Sequence, residues 1–192
     1  MGSSAEAGRG RWTTITHWYG YAAVEWEGRS YGNKSEEFEK LRSWPAQTGL
    51  RPRVVTDLGP GQEKDRFQAE GWEFLEPTDI CSDWKQYRAF LAASRGEFSP
   101  AKSGYVTAWT GWFSDRSVLY LSLGRPVLLQ ETGWSEWLPE GRGLVAFRTS
   151  DEAVEKAREI EADYAMHAQA AGKVAEECFA ENKAIPLALR YL

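Results

Sequence analysis

The chain has 192 residues, 42% of them apolar and 27% charged, which suffices for one compact domain with a two-sided core and is short for two. Its 23 basic and 28 acidic side chains give a net charge of −5, which argues against a nucleic acid or an anionic membrane as partner. No stretch approaches the roughly 20 apolar residues of a membrane span, and the first residues lack the hydrophobic core of a signal peptide. We therefore expect a soluble, cytoplasmic protein.

The cysteines and histidines are too scattered to form a metal centre. Cys81 lies far from Cys178, and His17 lies far from His167, so we expect reduced cysteines, no metal and no bound cofactor. The ten tryptophans are the unusual feature of the composition. They fit either a large aromatic core or the walls of a cleft.

The first half of the chain alternates strand patterns with helix patterns. β-branched residues predict a strand at 12–17, a short strand follows at 24–28, and apolar residues at three-residue steps predict a helix from Lys34 until Pro45 ends it. The same pattern then predicts a strand at 53–58, a helix from Gln62 to Glu70, a strand at 72–76 and a helix capped by Ser82 or Asp83.

Residues 111–134 are the most informative part of the second half. They predict a helix that begins at Ser114, is almost wholly apolar and ends at Gly124, followed by a strand at about 126–130. Residues 143–147 predict a further strand.

From Thr149 onwards the pattern is helical to the end of the chain, and Thr149 and Glu152 have the spacing of a capping box. The alternation of strands and helices predicts an α/β, Rossmann-like fold: a mostly parallel sheet with helices on both faces and a helical C-terminal tail. We assign residues 1–10 to a flexible arm and residues 11–192 to a single domain.

Ligands of an open parallel sheet bind beyond the carboxyl ends of the strands, so the loops there are the candidate sites. The first loop, Tyr31-Gly32-Asn33-Lys34, places a lysine and flexible backbone at a helix start, where unpaired N–H groups suit a phosphate. A surface lysine at a turn is the alternative.

The second loop, Ser114-Asp115-Arg116-Ser117, offers two hydroxyls and a guanidinium to one anion. The alternative is a Ser114 cap with a surface pair between Asp115 and Arg116. The third loop, Glu131-Thr132-Gly133-Trp134, follows a strand and could place amides and Thr132 against a ligand that Trp134 covers; otherwise it is a simple turn.

Residues 54–61 also resemble the phospho-acceptor strand end of a receiver domain, with Asp57 as the acceptor. The first strand lacks the acidic pair that would hold the magnesium ion of such a site. Asp57 is therefore interpreted as a cap or turn residue.

The segment GWFSDRSVLYLSLGRPVLLQETGWSEWLPEGRGLVAF, residues 111–147, combines Arg116 eight residues before a GRP turn with an ETG loop and an LPxGxGLxxF pattern. In this combination it resembles the donor-binding, C-terminal Rossmann half of GT-B glycosyltransferases, particularly bacterial proteins related to the CgeB and group 1 families. The resemblance extends to residues 31–38, to residues 97–106 and into the helical tail.

The resemblance implies half of a GT-B fold that binds a nucleotide-sugar donor and transfers the sugar once an acceptor domain completes the cleft. The residues expected around the donor diphosphate are Lys34, Lys102, Ser114, Arg116 and Ser117. Those expected around the sugar or nucleotide are Gly32, Glu131, Thr132, Gly133 and Trp134. No catalytic residue is assigned.

GT-B enzymes take the acceptor from a second domain of similar size, which this chain does not contain. We expect the chain to be a fragment, to pair with a separate acceptor chain, or to be a non-catalytic nucleotide-binding or protein-interaction domain that keeps the fold. A missing companion also predicts exposed apolar surface, through which homodimers would form.

Overall fold

The computed structural model describes residues 10–183. The strands are β1 (Trp12–Ile15), β2 (Val24–Trp26), β3 (Arg29–Tyr31), β4 (Arg53–Val55), β5 (Glu73–Leu75), β6 (Gly96–Ser99), β7 (Val127–Gln130) and β8 (Leu144–Phe147). The helices are α1 (Lys34–Lys40), α2 (Trp44–Thr48), α3 (Gln62–Ala69), α4 (Pro77–Cys81), α5 (Trp84–Ala93), α6 (Ser103–Ala108), α7 (Asp115–Ser122), α8 (Ser150–Ala162) and α9 (Tyr164–Phe179). Residues 1–9 of the predicted arm and 184–192 of the predicted helical tail lie outside the described part.

Six strands form a parallel sheet in the order β5-β4-β1-β6-β7-β8, and β2 and β3 form a separate antiparallel hairpin. Counted along the chain within the sheet, this is the doubly wound order 3-2-1-4-5-6, which differs from the 2-1-3-4-5 order of receiver-type sheets. The predicted α/β, Rossmann-like class is thus confirmed. The order reverses between β1 and β6, so the two following loops diverge there and leave a crevice at the carboxyl edge.

The two faces of the sheet bury separate apolar clusters because successive strand side chains point to opposite faces. On β7, Leu128 belongs to one cluster, whereas Val127 and Leu129 belong to the other. The first cluster includes Phe38 of α1, Trp44 of α2, Phe67 of α3 and Ile160 of α8. The second includes Leu91 of α5, Leu121 of α7 and Val174 of α9. The C-terminal helices therefore cover both faces.

Aromatic rings dominate the first cluster. The rings of Trp44 and Phe98 stack with centroids 4.3 Å apart, and those of Trp18 and Phe38 stack at 4.7 Å. The buried Trp44 indole N–H donates to the carbonyl of Ala153 at 3.1 Å, which fastens α8 to this core. The buried tryptophans, which support the core interpretation, are Trp12, Trp18, Trp44, Trp72 and Trp134, while Trp26, Trp84, Trp109 and Trp137 are exposed.

Some local predictions need correction. Pro45 does not end the first helix: α1 stops at Lys40, and Pro45 lies in the first turn of α2, where the missing N–H has no cost. The strand predicted at 24–28 is one arm of the β2–β3 hairpin, outside the main sheet. The cap predicted at Ser82 or Asp83 is Asp83, whose side chain accepts from the amide of Gln86.

Strand β6 was missed entirely. Its sequence, Gly-Glu-Phe-Ser, carries two polar side chains, and in isolation it has neither the apolar run nor the β-branched residues that indicate a strand. The structure buries all four residues. Asp57 lies in the loop after β4 and caps no helix: its carboxylate accepts from the Trp18 amide at 3.0 Å and lies 3.0 Å from His17 Nδ1.

None of the helices within residues 10–183 combines the length and the apolar composition that a membrane crossing requires.

Replacement of the central indole tests the aromatic core. We expect Trp44→Ala to lower the free energy of unfolding by about 3–5 kcal/mol, because it opens a cavity and leaves the Ala153 carbonyl without its donor. Urea denaturation followed by circular dichroism measures the loss. The exposed Trp84→Ala is the matched control and should change stability by less than about 0.5 kcal/mol; equal losses in the two variants would contradict the assignment.

Candidate functional site

The loops that follow β1, β6 and β7 meet at the carboxyl edge of the sheet. The amides of Ser103 and Gly104, at the start of α6, donate to the carbonyls of Asn33 (3.2 Å) and Gly32 (3.0 Å). The Thr132 hydroxyl donates to the carbonyl of Trp112 at 2.7 Å. All three loops selected from the sequence therefore lie at one edge.

Helix α1 is held over this edge by a buried side-chain bridge. Gln130 lies at the end of β7. Its side-chain Nε2 donates to the Glu37 carboxylate at 2.6 Å, and its side-chain Oε1 accepts from the backbone amide of Ala101 at 3.0 Å. Glu37 also accepts from the Lys40 ammonium at 2.6 Å. The bridge fixes α1, and with it Lys34 at its first position, relative to β6 and β7.

The loop before α1 approaches its own helix closely. A Cβ atom on Gly32 would collide with the Glu36 carboxylate, which accepts from the Asn33 amide at 3.2 Å. The Asn33 side chain in turn accepts from the Gly20 amide at 2.7 Å and so ties the loop after β1 to the start of α1. A side chain at position 32 would therefore displace the Glu36 carboxylate from its hydrogen bond to the Asn33 amide.

A buried ion pair occupies the switch point of the sheet. Glu97 of β6 has no exposed surface, and its carboxylate accepts from Arg116 Nε at 2.6 Å and from the Ser117 hydroxyl at 2.6 Å. Arg116 also donates to the Ser99 hydroxyl at 2.9 Å and to the carbonyl of Ile15, the last residue of β1. The guanidinium therefore joins the carboxyl ends of β1 and β6.

The charge of Arg116 is stabilised within the fold. Burial is the largest single effect and disfavours the charged guanidinium, but Glu97, Tyr120 and Tyr87 together outweigh it and keep the pKa of Arg116 above its ordinary value. The side chains of Arg116 and Ser117 therefore both donate to Glu97 within the folded protein. Ser114, the N-cap of α7, is also buried, but its side chain makes no capping hydrogen bond to the helix.

Lys34 is the exceptional residue of the site. Only 5% of its surface is exposed, and it makes neither a hydrogen bond nor an ion pair with any of residues 10–183. Its Nζ lies 5.9 Å from the centre of the Trp112 ring. Burial and the positive charge of Arg116 hold the pKa of Lys34 well below its usual value, Lys102 lowers it further, and Glu97 opposes them only in part.

Lys102 provides a third positive charge at the same edge. It is the N-cap of α6, and its Nζ lies 4.8 Å from the centre of the Tyr21 ring and 5.5 Å from that of Tyr105. Within the described part of the chain it has no acidic partner. Three basic side chains, Lys34, Lys102 and Arg116, thus lie at this edge, and of these only Arg116 is paired with a carboxylate among the described residues.

The loop after β7 is closed on itself. Glu131 Oε1 accepts from the amides of Thr132 (3.0 Å) and Gly133 (2.7 Å). Trp134 has no exposed surface, and its indole N–H donates to the carbonyl of Gln130 at 3.1 Å. The structure therefore places Trp134 in the core beneath the loop, while Trp109 and Trp137 present exposed rings beside it.

The sequence did not indicate the residues that organise the site. Glu97 lies in a strand that was not predicted, Glu37 lies in a predicted helix without a mark of its burial, and Gln130 lies at the end of a predicted strand. A buried carboxylate or amide has no local signal, because its partners are distant in sequence: Arg116 is 19 residues from Glu97, and Gln130 is 93 residues from Glu37. The polar alternation of β6 was the one available hint.

No protein-family model matches the chain, and no curated protein is significantly similar to it. Among residues 10–183, no three histidine, cysteine, aspartate or glutamate side chains are grouped so that they could hold a metal ion.

Loss of the Glu97 charge should destabilise the folded protein. We expect Glu97→Gln to lower the free energy of unfolding by about 3–5 kcal/mol, because it leaves the buried Arg116 cation without its partner. Urea denaturation at pH 7 measures the change, with the exposed Glu25→Gln as control. Adding Arg116→Met to Glu97→Gln should recover part of the loss; a double variant as unstable as the sum of its parts would contradict the pairing.

Removal of the Lys34 charge should have the opposite effect. We expect Lys34→Met to raise the free energy of unfolding at pH 7 by on the order of 1 kcal/mol, because a buried cation without an anionic partner is removed. The pKa of Lys34 is lower in the folded protein than in the unfolded chain, so the unfolded chain binds more protons between the two values and wild-type stability rises with pH there.

The advantage of Lys34→Met should therefore be largest at low pH and shrink as the pH rises through the folded pKa of Lys34. Denaturation of both proteins from pH 6 to pH 10 measures the difference. A difference that is constant with pH, or a less stable variant, would contradict the unpaired buried cation.

Proposed function

We propose that the carboxyl edge around Lys34 binds the diphosphate of a nucleotide sugar, and that the chain is the donor-binding half of a GT-B glycosyltransferase. The observation that carries the proposal is Lys34, a buried lysine that makes no hydrogen bond or ion pair with any of residues 10–183. A cation in such a position costs stability unless a ligand supplies the missing negative charge.

The charge balance of the edge favours a polyanion over a single carboxylate. Arg116 is paired with Glu97, whereas Lys34 and Lys102 make no ion pair with any of residues 10–183, which leaves two basic side chains without an acidic partner. A diphosphate supplies negative charge and many acceptor oxygens over a span that two lysines on different loops can contact. The N–H groups of Arg116 already donate to Glu97, Ser99 and Ile15. Arg116 would therefore attract the diphosphate through its positive charge and not through a direct hydrogen bond.

The position of the cations agrees with this ligand class. They follow β1 and β6, the two strands at the switch point, where doubly wound sheets bind nucleotides. The sugar end is assigned to the adjacent loop of Glu131, Thr132 and Gly133, whose Thr132 hydroxyl contacts the Trp112 backbone next to Lys34. Stabilisation of a departing diphosphate is the part of glycosyl transfer that these residues could perform.

An acceptor domain is part of the proposal, and the exposed apolar residues support it. The segment after β1 presents Tyr19, Val24 and Trp26, with exposed fractions of 58%, 56% and 65%. These side chains belong to the segment that joins β1 to Lys34, and exposed apolar groups there could pack against a companion domain that closes the cleft. If the site binds nucleotides but supports no transfer with any acceptor, the alternative of a nucleotide-binding domain without catalysis is the better description.

Calorimetric titration with UDP, GDP, ADP, UDP-glucose and GDP-mannose tests the proposal. We expect at least one of these probes to bind, and Lys34→Met and Lys102→Met each to weaken that binding about tenfold or more, the scale of one charged hydrogen bond. The exposed Lys85→Met is the matched control and should leave the affinity unchanged.

Two properties of the same titration check the role of Lys34. Binding should weaken at higher salt, and it should take up protons, because the ligand raises the lowered pKa of Lys34. Proton uptake appears as a binding enthalpy that depends on the ionisation enthalpy of the buffer, and it should vanish in Lys34→Met. A wild-type protein that binds none of the five probes would overturn the proposal.

A further inference from the structure

Lys34 has a chemical property that anion binding does not use. The residue is 5% exposed and makes no hydrogen bond or ion pair with any of residues 10–183. A lysine that is taken out of water without an anionic partner releases its proton more readily than an exposed lysine, because burial disfavours the ammonium form. The neutral amine has a free lone pair and is a nucleophile. The first position of α1 is therefore a candidate site of covalent modification.

The charged groups that act on this amine are mostly positive. Arg116 and Lys102 disfavour its protonation, and Glu97 is the carboxylate that favours it. Glu97 already accepts from Arg116 Nε at 2.6 Å and from the Ser117 hydroxyl at 2.6 Å. Lys102 makes no ion pair within the described part of the chain. A negative group on the Lys34 nitrogen would therefore be stabilised by its surroundings, which oppose the ammonium.

Two aromatic rings connect Lys34 to Lys102. The Lys34 Nζ lies 5.9 Å from the centre of the Trp112 ring, and the Trp112 and Tyr105 ring centres are 5.0 Å apart. The Lys102 Nζ lies 5.5 Å from the centre of the Tyr105 ring. Both rings are uncharged near neutral pH. The surface beside the amine is therefore apolar, with a basic side chain on the far side of the rings.

Burial, charge and the lone pair together restrict the reagent. A buried amine favours a small reagent, the cations favour an anionic product, and the lone pair requires an electrophile. An aldehyde would give an imine and an acyl donor an amide, neither of which is an anion. Carbon dioxide meets all three conditions. Its carbon accepts the nitrogen lone pair to form a C–N bond, one C=O electron pair moves to oxygen, and the nitrogen loses a proton to solvent. Amine and carbon dioxide thus give a carbamate and one proton, with no oxidation or reduction.

We propose that Lys34 is a carbamylation site, at which carbon dioxide converts the buried amine into a carbamate that the positive charges of Lys102 and Arg116 stabilise. The carbamate forms without a diphosphate, so the site is independent of the proposed function. One consequence does rest on that function: a carbamate and a diphosphate would compete for the same positive charges. Carbon dioxide would then lower the affinity of the edge for UDP or GDP.

NMR of the full chain in isotopically labelled bicarbonate tests the modification, because the carbon resonance of a carbamate is distinct from those of bicarbonate and dissolved carbon dioxide. We expect a carbamate resonance that Lys34→Met and Lys34→Arg both abolish, since neither new side chain has a free amine. Lys85→Met, which removes an exposed lysine, is the matched control and should keep it. The α-amino group of the chain also forms a carbamate, and its resonance should remain in every variant.

The neighbours of Lys34 determine how much carbamate forms and at which pH. Lys102→Met should reduce the equilibrium constant of the carbamate about tenfold, because a nearby positive charge is lost. Carbamates form only from the neutral amine, and burial with the two cations holds the pKa of Lys34 well below its usual value. The Lys34 resonance should therefore persist to lower pH than the carbamates of exposed lysines such as Lys85. A Lys34 resonance that requires the same high pH as theirs would contradict the proposal.

Titration of UDP or GDP in bicarbonate, compared with chloride at equal ionic strength, tests the competition. At the bicarbonate concentration that converts half of Lys34, the affinity should fall about twofold by mass action. Lys34→Met should remove this dependence on bicarbonate. Saturation with the nucleotide should in turn abolish the Lys34 resonance of the wild-type protein.

The two proposals fail separately. A folded wild-type protein with no resonance that depends on Lys34 overturns the carbamylation site, and diphosphate binding that needs Lys34 then leaves the proposed function in place. A Lys34 carbamate in a protein that binds no diphosphate supports the modification and overturns the proposed function. A carbamate that persists when UDP or GDP is bound also supports the modification, but it removes Lys34 from the diphosphate site. Circular dichroism confirms that each variant is folded.

Discussion

The buried ion pair between Glu97 and Arg116 is the interaction on which the rest of the site depends. At the switch point of a doubly wound sheet the chain leaves neighbouring strands in opposite directions, and the polar groups at the strand ends need partners. Arg116 supplies donors to the carbonyl of Ile15 on β1 and to Ser99 on β6 at once, because the guanidinium is planar and carries several N–H groups. Glu97 balances its charge, so the start of α7 is fixed against both strands.

This neutral pair also defines what is unusual about Lys34. A lysine buried beside an unpaired carboxylate would be half of another ion pair, but the carboxylate that acts on Lys34, Glu97, is already bonded to Arg116 and Ser117. The positive charge at the start of α1 therefore remains, held in place by the bridge from Glu37 to Gln130. A buried lysine without an anionic partner lowers stability at this position, and the aromatic core of Trp44, Phe98 and their neighbours offsets the cost.

The carboxyl edge divides into two regions that share one loop. Thr132 contacts the Trp112 backbone on one side, and Glu131 lines a cavity of about 410 Å³ on the other. Trp109 and Trp137 are exposed near this loop, whereas Trp134 is buried in the core. The edge is thus open, charged and aromatic, in contrast to the apolar layers on the two faces of the sheet.

The sequence by itself determined the alternation of strands and helices, and hence the fold class, because apolar periodicity and capping residues such as Asp83 and Thr149 are local signals. It also selected the loops of Lys34, Arg116 and Glu131, because parallel sheets expose the strand ends on one edge. Only the tertiary structure decided that β6 exists and that Arg116 belongs to Glu97. Only it showed Lys34 buried without a partner and Trp134 enclosed in the core. Those features depend on burial and on the pairing of groups distant in the chain, and a side chain carries no local mark of the partner that the fold brings to it.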